Sequence, residues 1–318
     1  MVYHPQQRGG DVAASCVQAP IVPARKSNVN PGPVSNGLEQ QVAPVTVAEL
    51  IPLAAGVALF AGWLLSTSLG RRSLARSKPR RNCMTIWTPF GLFFIWLVGL
   101  GLLQTIAVWL VGDLQSWEGL FAGNLAGAFG AVLIVALALL VARFTFARGI
   151  KGLGLRLRTV PRDFAYAFVN LLAVWPLVMA AMSLTILVLR ALVGRDFEVP
   201  QHEALEIITK SPALPLQILI AIQAVIVAPL VEETLFRGLL QTMIRSYVGR
   251  PWPAIAMTSI LFAAVHFNAS HWPALFVLAL GLGYSYEKSG SLLRPIFMHA
   301  LFNGITIAAA LAESAPKA

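Results

Sequence analysis

Residues 221–238 read Ala-Ile-Gln-Ala-Val-Ile-Val-Ala-Pro-Leu-Val-Glu-Glu-Thr-Leu-Phe-Arg-Gly, so that Glu232, Glu233 and Arg237 lie inside an apolar run. A charged side chain within a bilayer costs several kcal/mol, and such residues usually mark a functional site. The run therefore predicts a membrane-spanning helix that carries part of a functional site.

The composition of the whole chain indicates the same class of protein. Of the 318 residues, 57% are hydrophobic and 12% are charged, whereas a soluble domain carries about 25% charged residues. So much apolar sequence cannot be buried inside a water-facing globule, which excludes a disordered chain and an ordinary cytosolic enzyme. We predict an all-α polytopic transmembrane helical bundle, an integral multi-pass membrane protein.

Apolar segments of the length that a bilayer requires, about 20 residues, recur along the chain and predict about eight spans. They cover residues 48–69, 85–111, 120–146, 164–193, 214–245, 253–268, 273–287 and 292–312. Several of the later segments are short, which favours tilted or partly immersed helices. We therefore predict a disordered polar tail (1–46), an N-terminal part with about four spans (47–200) and a C-terminal core (201–318).

The charges set the predicted orientation. The net charge is +10, from 24 Lys and Arg against 14 Asp and Glu. The basic residues concentrate in the loops after the first and third spans, which predicts that both loops are cytoplasmic and both termini lie outside the cytoplasm. The same loops could contact the lipid bilayer through anionic head groups. No basic residues alternate with aromatic ones, so nucleic acid is not predicted as a partner. Cys16 and Cys83 predict neither a disulfide framework nor a metal site.

Two further apolar segments carry histidine. His266 follows Phe262 by four residues, and His299 precedes Asn303 by four residues. Residues four apart share one face of a helix. The spacing therefore predicts that the ring of Phe262 packs beneath the His266 imidazole, and that His299 and Asn303 present an imidazole and an amide together.

The two glutamates have different predicted roles. Glu233 and Arg237 are four residues apart in the favourable acid-before-base order, which predicts a structural ion pair. Glu232 points about 100° away on a helix and needs a partner from another helix. A lone buried histidine is more often structural than catalytic, but two histidines, an unpaired glutamate and an amide on three neighbouring apolar helices indicate a reactive site.

Two chemistries fit this set of residues, and the spacing leaves both open. Glu232, His266 and His299 could share a metal-free water, with Asn303 donating to an oxyanion. Since histidine and carboxylate are also the usual ligands of zinc, Glu232, His266 and His299 are candidate zinc ligands as well. Other intramembrane chemistries are excluded, because the chain has no His-Glu-x-x-His motif, no Gly-x-Ser-x-Gly motif and no Asp well inside an apolar segment.

Three patterns resemble the signature motifs of the CPBP (Abi) family, which comprises type II CAAX prenyl endopeptidases and bacteriocin-processing or immunity-type intramembrane proteases. They are Glu232-Glu233-x-x-x-Arg237, Phe262-x-x-x-His266 and His299-x-x-x-Asn303. The stretch 290–296, Gly-Ser-Leu-Leu-Arg-Pro-Ile, also resembles bacterial members, which implies location in a bacterial inner (plasma) membrane. The resemblance covers about residues 212–312 and is absent from residues 1–200.

The resemblance implies a helical core around a cavity open to the cytoplasmic side, and hydrolysis of peptide bonds. It implies that Glu232 activates water with help from His266, and that His299 and Asn303 stabilise the oxyanion or ligate a metal. Glu233 and Arg237 match the supporting pair of the motif. The implied partners are membrane-associated peptides or proteins, of which prenylated CAAX-type sequences are one family substrate.

A non-catalytic membrane protein of the same fold, such as a transporter, a scaffold or a bacteriocin-immunity factor, is the competing hypothesis. Transporters also hold charged residues at the membrane midplane, although they usually have two related halves. Here the polar groups within apolar segments are confined to the second half, which favours the endopeptidase. The sequence leaves the substrate and the oligomeric state open.

Overall fold

Nine helices make up most of the part of the chain that the structure describes, and within it there is no β-strand. In this computed structural model the described residues are 47–67, 70, 72–112, 116–194, 197, 199–200, 202–266 and 268–314. The helices are α1 (Val47–Ser66), α2 (Trp87–Val111), α3 (Trp117–Thr145), α4 (Val160–Val193), α5 (Glu203–Lys210), α6 (Leu214–Val248), α7 (Pro251–Ala264), α8 (Trp272–Ser289) and α9 (Leu293–Ser314). The predicted tail 1–46, with Cys16, lies outside the described residues.

The predicted all-α membrane class is confirmed. Each of the eight predicted apolar segments contains a helix among its described residues, and the short α5 is an additional one. Five helical segments are long and apolar enough to cross a membrane, namely Trp87–Val111, Trp117–Thr145, Gly149–Val193, Leu214–Val248 and Leu293–Ser314. The apolar parts of α1 and α7 are shorter, so the count of eight spans stays a prediction, as does the division into parts at residue 200.

The outer helices expose large apolar side chains, as a lipid-facing surface requires. On α2, Trp87 is 80% exposed and Trp109 is 76% exposed, with Phe94 and Leu110 exposed between and beside them. Trp87 and Trp109 are separated by about 33 Å along the helix axis at 1.5 Å per residue, close to the hydrocarbon thickness of about 30 Å. Tryptophan is enriched at both membrane interfaces, so the pair supports α2 as a transmembrane helix.

The second half of α6 is the central element of the bundle, because residues 233–245 are all buried. Four polar residues follow one another here at intervals of four: Glu233, Arg237, Gln241 and Arg245. Side chains at this spacing lie on one face of a helix. We call these four residues the polar stripe of α6.

The polar stripe holds α8 against α6. Arg237 Nη2 donates to Ala279 O at 3.2 Å, and Gln241 Nε2 donates to Gly283 O at 3.1 Å. A Cβ at Gly283 would lie 2.7 Å from Gln241 Oε1, and one at Gly281 would lie 2.7 Å from a methyl group of Val174. Small residues such as these two glycines let membrane helices approach closely, and here they allow α8 to pack against α6 and α4.

Two glycines fix the contact between the loop after α3 and the turn between α8 and α9. Gly290 ends α8 with a φ of 70°, and its N–H donates to Tyr286 O. Gly154 has a φ of 86°, and a Cβ there would overlap the carbonyl oxygen of Gly290. Only glycine satisfies both conditions at residue 154, since other residues are strained at such a φ.

We predict that Gly154→Ala destabilises the protein more than Gly149→Ala does. Both positions have a positive φ, which costs an L-residue about 1–2 kcal/mol. The nearest atom to a Cβ at Gly149 would be 3.6 Å away, so Gly149→Ala reports that cost alone. Gly154→Ala adds an overlap with backbone atoms, which costs about 1–3 kcal/mol more. Thermal unfolding in detergent, followed by tryptophan fluorescence, measures the difference, and equal midpoints would contradict the close approach.

Candidate active site

Glu233 and Arg237 form the ion pair that their spacing predicts. Arg237 Nη1 lies 2.7 Å from Glu233 Oε1, and both side chains are fully buried. The guanidinium carbon also lies 4.6 Å from the centre of the Phe262 ring, within the range of a cation–π contact. A buried charge pair is tolerated only when further polar contacts satisfy it, and the Arg237 bond to Ala279 O is one of them.

His299 brings α9 into this ion pair. Its Nδ1 lies 2.9 Å from Glu233 Oε1, the same oxygen that Arg237 contacts. A carboxylate oxygen can only accept, so His299 Nδ1 carries the hydrogen and Nε2 is the ring nitrogen left for other partners. The first partner of His299 is therefore Glu233 and not Glu232, a distinction that the spacing in the sequence leaves open.

His266 is oriented by the helix that carries it. Its Nδ1 lies 2.8 Å from Phe262 O, which again places the hydrogen on Nδ1 and leaves Nε2 available. Trp272 Nε1 donates to His266 O at 2.6 Å and joins the end of α7 to the start of α8.

The ring of Phe262 connects the two motif histidines. Its centroid lies 4.9 Å from that of the His266 imidazole and 5.9 Å from that of His299. The predicted packing of Phe262 against His266 is confirmed. Phe262 is fully buried, and both imidazoles pack against its ring.

Glu232 differs from its neighbour in making no hydrogen bond or ion pair with the described residues. Its side chain is partly buried, and Oε2 has no hydrogen-bond partner among the described residues. Glu233 Oε1, by contrast, accepts from both Arg237 and His299, although Glu233 Oε2 is also buried without a partner among the described residues. The partner from another helix that the sequence predicts for Glu232 is thus not supplied to Oε2 by the described part of the protein.

Asn303 joins α9 to a distorted turn of α6. Its Nδ2 donates to Ala224 O at 2.7 Å. Ala224 lies in a π-helical segment, Gln223–Val227, in which the N–H of Ala228 bonds to Gln223 O. Five residues after Ala224, Pro229 has no N–H to offer. Asn303 therefore supplies a hydrogen bond to a carbonyl that the helix itself leaves without its usual donor.

The structure thus gathers Glu233, Arg237, His266 and His299 around Phe262, whereas Glu232 and Asn303 form no hydrogen bond or ion pair with that group. Within the described residues, no three His, Cys, Asp or Glu side chains form a group that could hold a metal ion. The arrangement does not fit a zinc ion on Glu232, His266 and His299. Zinc binding stays a prediction, and no step below depends on it.

The site is supported by a second buried ion pair that was not predicted from the sequence. Asp163, in the first turn of α4, is fully buried and lies 3.0 Å from Arg294 Nη2, and Ser291 Oγ donates to its other oxygen at 2.7 Å. Ser291 and Arg294 belong to the stretch 290–296, so the signal was present there. These contacts lock the start of α9 to α4 and so fix the depth at which His299 is held.

One further histidine lies near the site. His271 is in the turn Ala269–His271 between α7 and α8. Burial lowers the pKa of its imidazole, and the neighbouring imidazoles of His202 and His266 lower this pKa further. The neutral form of His271 is therefore favoured over a wider pH range than for a free histidine.

Taken together, these features define a polytopic helical membrane protein with a polar site on three apolar helices. Residues 214–305 match the family model described as type II CAAX prenyl endopeptidase, Rce1-like. The match begins at the first residue of α6 and ends within α9, so it includes all three motifs. The resemblance to this family of proteases is confirmed over that segment.

The chain is also similar to an uncharacterized 24.3 kDa protein of Escherichia coli. The identity is 33% over 112 residues, which are 34% of this chain and 52% of the relative. The chain thus spans about half the length of this curated relative. No solved structure matches the chain.

We predict that Asn303→Leu lowers the free energy of unfolding by about 1–3 kcal/mol, because Ala224 O then lacks a donor inside the bundle. Asn124→Leu is the matched control. Asn124 is also partly buried in an apolar helix, but it donates to Leu120 O, a carbonyl one helical turn before it. We expect a smaller loss for the control in detergent unfolding, and equal losses would show that the Asn303 bond has no special role.

Proposed function

We propose that this protein is an intramembrane endopeptidase that hydrolyses peptide bonds of membrane-associated substrates. The observation that carries the proposal is the unequal state of two adjacent carboxylates. Glu233 Oε1 accepts from Arg237 and His299, whereas Glu232 makes no hydrogen bond or ion pair with the described residues. A carboxylate among apolar helices without such a partner is costly, so the retention of Glu232 supports a chemical role.

In the proposed reaction Glu232 is the general base. Its carboxylate takes a proton from a water molecule, and the water oxygen forms a bond to the carbonyl carbon of the substrate while the carbonyl becomes an oxyanion. The C–N bond then breaks as the leaving nitrogen receives a proton. His266 is suited to carry this proton from protonated Glu232 to the leaving nitrogen, because the bond of Nδ1 to Phe262 O leaves Nε2 free first to accept the proton and then to donate it.

Asn303 and His299 are the proposed donors to the oxyanion. The amide of Asn303 has two hydrogens, and the bond to Ala224 O uses one of them. That bond also fixes the amide, so that the second hydrogen is held in place before substrate arrives, as oxyanion stabilisation requires. His299 Nε2 donates when the imidazole is protonated. Glu233 and Arg237 serve this reaction indirectly, by fixing the His299 ring.

The family match suggests the substrate class. Because the matching family model is named for CAAX prenyl endopeptidases, prenylated C-terminal peptides are the first candidates. The apolar surface of the bundle is consistent with a substrate that reaches the site from the bilayer. We propose a bacterial inner membrane as the location, with the basic loops after α1 and α3 in the cytoplasm.

We expect Glu232→Gln to lower the rate of peptide cleavage by about 100-fold or more, the usual contribution of a general base. Glu206→Gln is the matched control, since the Glu206 side chain is 52% exposed and pairs only with Lys210 one turn away. Membrane fractions from cells with each variant are compared by proteomics for fragments that depend on the wild type. Candidate peptides, prenylated and unprenylated, are then tested with the purified protein.

Cleavage by Glu232→Gln at the wild-type rate would contradict the proposed base. If Glu232→Gln also restored the biological role of a deletion strain, the non-catalytic hypothesis would replace the endopeptidase.

Metal analysis separates a zinc-dependent reaction from one that uses the side chains alone. We expect the purified protein to keep its activity after treatment with a chelator and dialysis, because the described residues hold no group of three zinc ligands. The zinc hypothesis instead predicts about one zinc per chain, lost together with activity in His299→Ala. Metal content and cleavage rate are measured on the same samples, so finding that zinc and activity disappear together would overturn our expectation.

A further inference from the structure

A cavity of 720 Å³ lies between the loop after α1, the turns after α3 and the end of α8. Eight of its lining residues are Lys or Arg, and Glu287 is the one carboxylate among them. No residue of the three motifs lines it. We call it the basic cavity.

The walls of the basic cavity are held together by the protein itself. Backbone bonds pair the loop after α1 with the end of α3, since Ala147 N donates to Arg81 O and Cys83 N donates to Thr145 O. Lys288 Nζ donates to Ser73 O at 2.6 Å and ties the end of α8 to the same loop. The cavity is therefore a formed feature of the fold and needs no ligand to assemble it.

The single carboxylate does not neutralise these cations. Glu287 Oε2 accepts from Ser77 Oγ, and Glu287 Oε1 is buried without a hydrogen-bond partner. Within the described part of the chain, none of the eight basic residues forms an ion pair. The positive charge of the cavity is thus unmatched by nearby protein groups.

One cationic side chain of the basic cavity is held in place by protein contacts, and three others are available to bind an anion. The guanidinium carbon of Arg80 lies 3.6 Å from the centre of the Tyr286 ring, and its Nη2 donates to Tyr286 O at 3.4 Å. Arg148, Lys151 and Arg156 are exposed and make no side-chain hydrogen bond with described residues. The cavity thus combines a positioned guanidinium with exposed cationic donors from the turns after α3.

Such a site attracts anions. Clefts lined by one sign of charge concentrate the counter-ion, and closely spaced Arg and Lys side chains match the several acceptor oxygens of a phosphate. The cavity lies at the end of the bundle that the charge distribution predicts to be cytoplasmic, and its lining residue Arg81 precedes the exposed Trp87 at the start of α2 by six residues. Tryptophan marks the level of lipid head groups.

We propose that the basic cavity binds a phosphate group, presented either by the head group of an anionic phospholipid or by free phosphate. This site is separate from the proposed peptidase site, and the proposal stands whether or not the protein cleaves peptides.

The test uses the full chain, purified in a phosphate-free detergent solution, and isothermal titration calorimetry. Three probes are compared: dioctanoyl-phosphatidylglycerol, inorganic phosphate, and dioctanoylglycerol, which has the acyl chains without the phosphate. The variant Arg148→Gln/Lys151→Gln removes two lining charges. Arg158→Gln/Arg162→Gln removes two charges from the next turns that do not line the cavity, so it controls for the overall surface charge.

We expect the lining variant to bind the phosphate probe at least about tenfold more weakly, since a hydrogen bond to a charged group contributes about 1.5–3 kcal/mol. The control variant should stay within about twofold of wild type, and both ligand-free variants should keep the wild-type unfolding midpoint. Binding of the phospholipid alone identifies a head-group site, and comparable binding of inorganic phosphate identifies a site for free phosphate.

Three results would overturn the proposal. The first is that neither phosphate probe binds the wild-type protein. The second is an equal loss of affinity in both double variants, which would indicate only diffuse surface charge. The third is dioctanoylglycerol binding as tightly as the phospholipid, which would indicate a contact with acyl chains.

Discussion

Arg237 carries a permanent positive charge and is fully buried in a membrane bundle. The arrangement of the site depends on how the surrounding groups stabilise this charge. Such a charge persists only where carboxylate, carbonyl and aromatic groups surround it. Glu233 comes from its own helix, Ala279 O from α8 and Phe262 from α7, while His299 from α9 shares the Glu233 oxygen. Four helices converge on one guanidinium, and the three motifs meet because each supplies a part of its surroundings.

The pairing of Glu233 has a chemical consequence for Glu232. Adjacent residues on a helix point about 100° apart, and the hydrogen bonds from Arg237 and His299 both go to Glu233 Oε1. The same fold that fixes His299 therefore leaves Glu232 without a hydrogen bond or ion pair among the described residues. This supports the proposed role of Glu232 as general base, because a base must keep a carboxyl oxygen available to take a proton.

Much of this arrangement could be predicted from local sequence. Apolar length predicts the helices, and spacings of four predict both the Glu233–Arg237 pair and the Phe262–His266 stack. The choice of Glu233 as the partner of His299 depends on how deeply α9 sits, which Asp163 and Arg294 fix over a long sequence separation. Pro229 and Asn303 show the same limit, because a proline predicts a carbonyl without a donor but not which side chain reaches it. The basic loops are evident in the sequence, yet only tertiary packing joins them into one cavity.

The π-helical segments Gln223–Val227 and Thr234–Gln241, on either side of the two glutamates, make α6 sensitive to its length. A π turn accommodates an extra residue in an otherwise α-helical chain, and an α-helix advances about 100° per residue. Deleting one residue from either segment would rotate one half of α6 against the other by roughly that angle. The polar stripe could then no longer face α8 while Ala224 faces Asn303. Homologous proteins with this site should therefore differ in length outside α6 and keep the residue count within it.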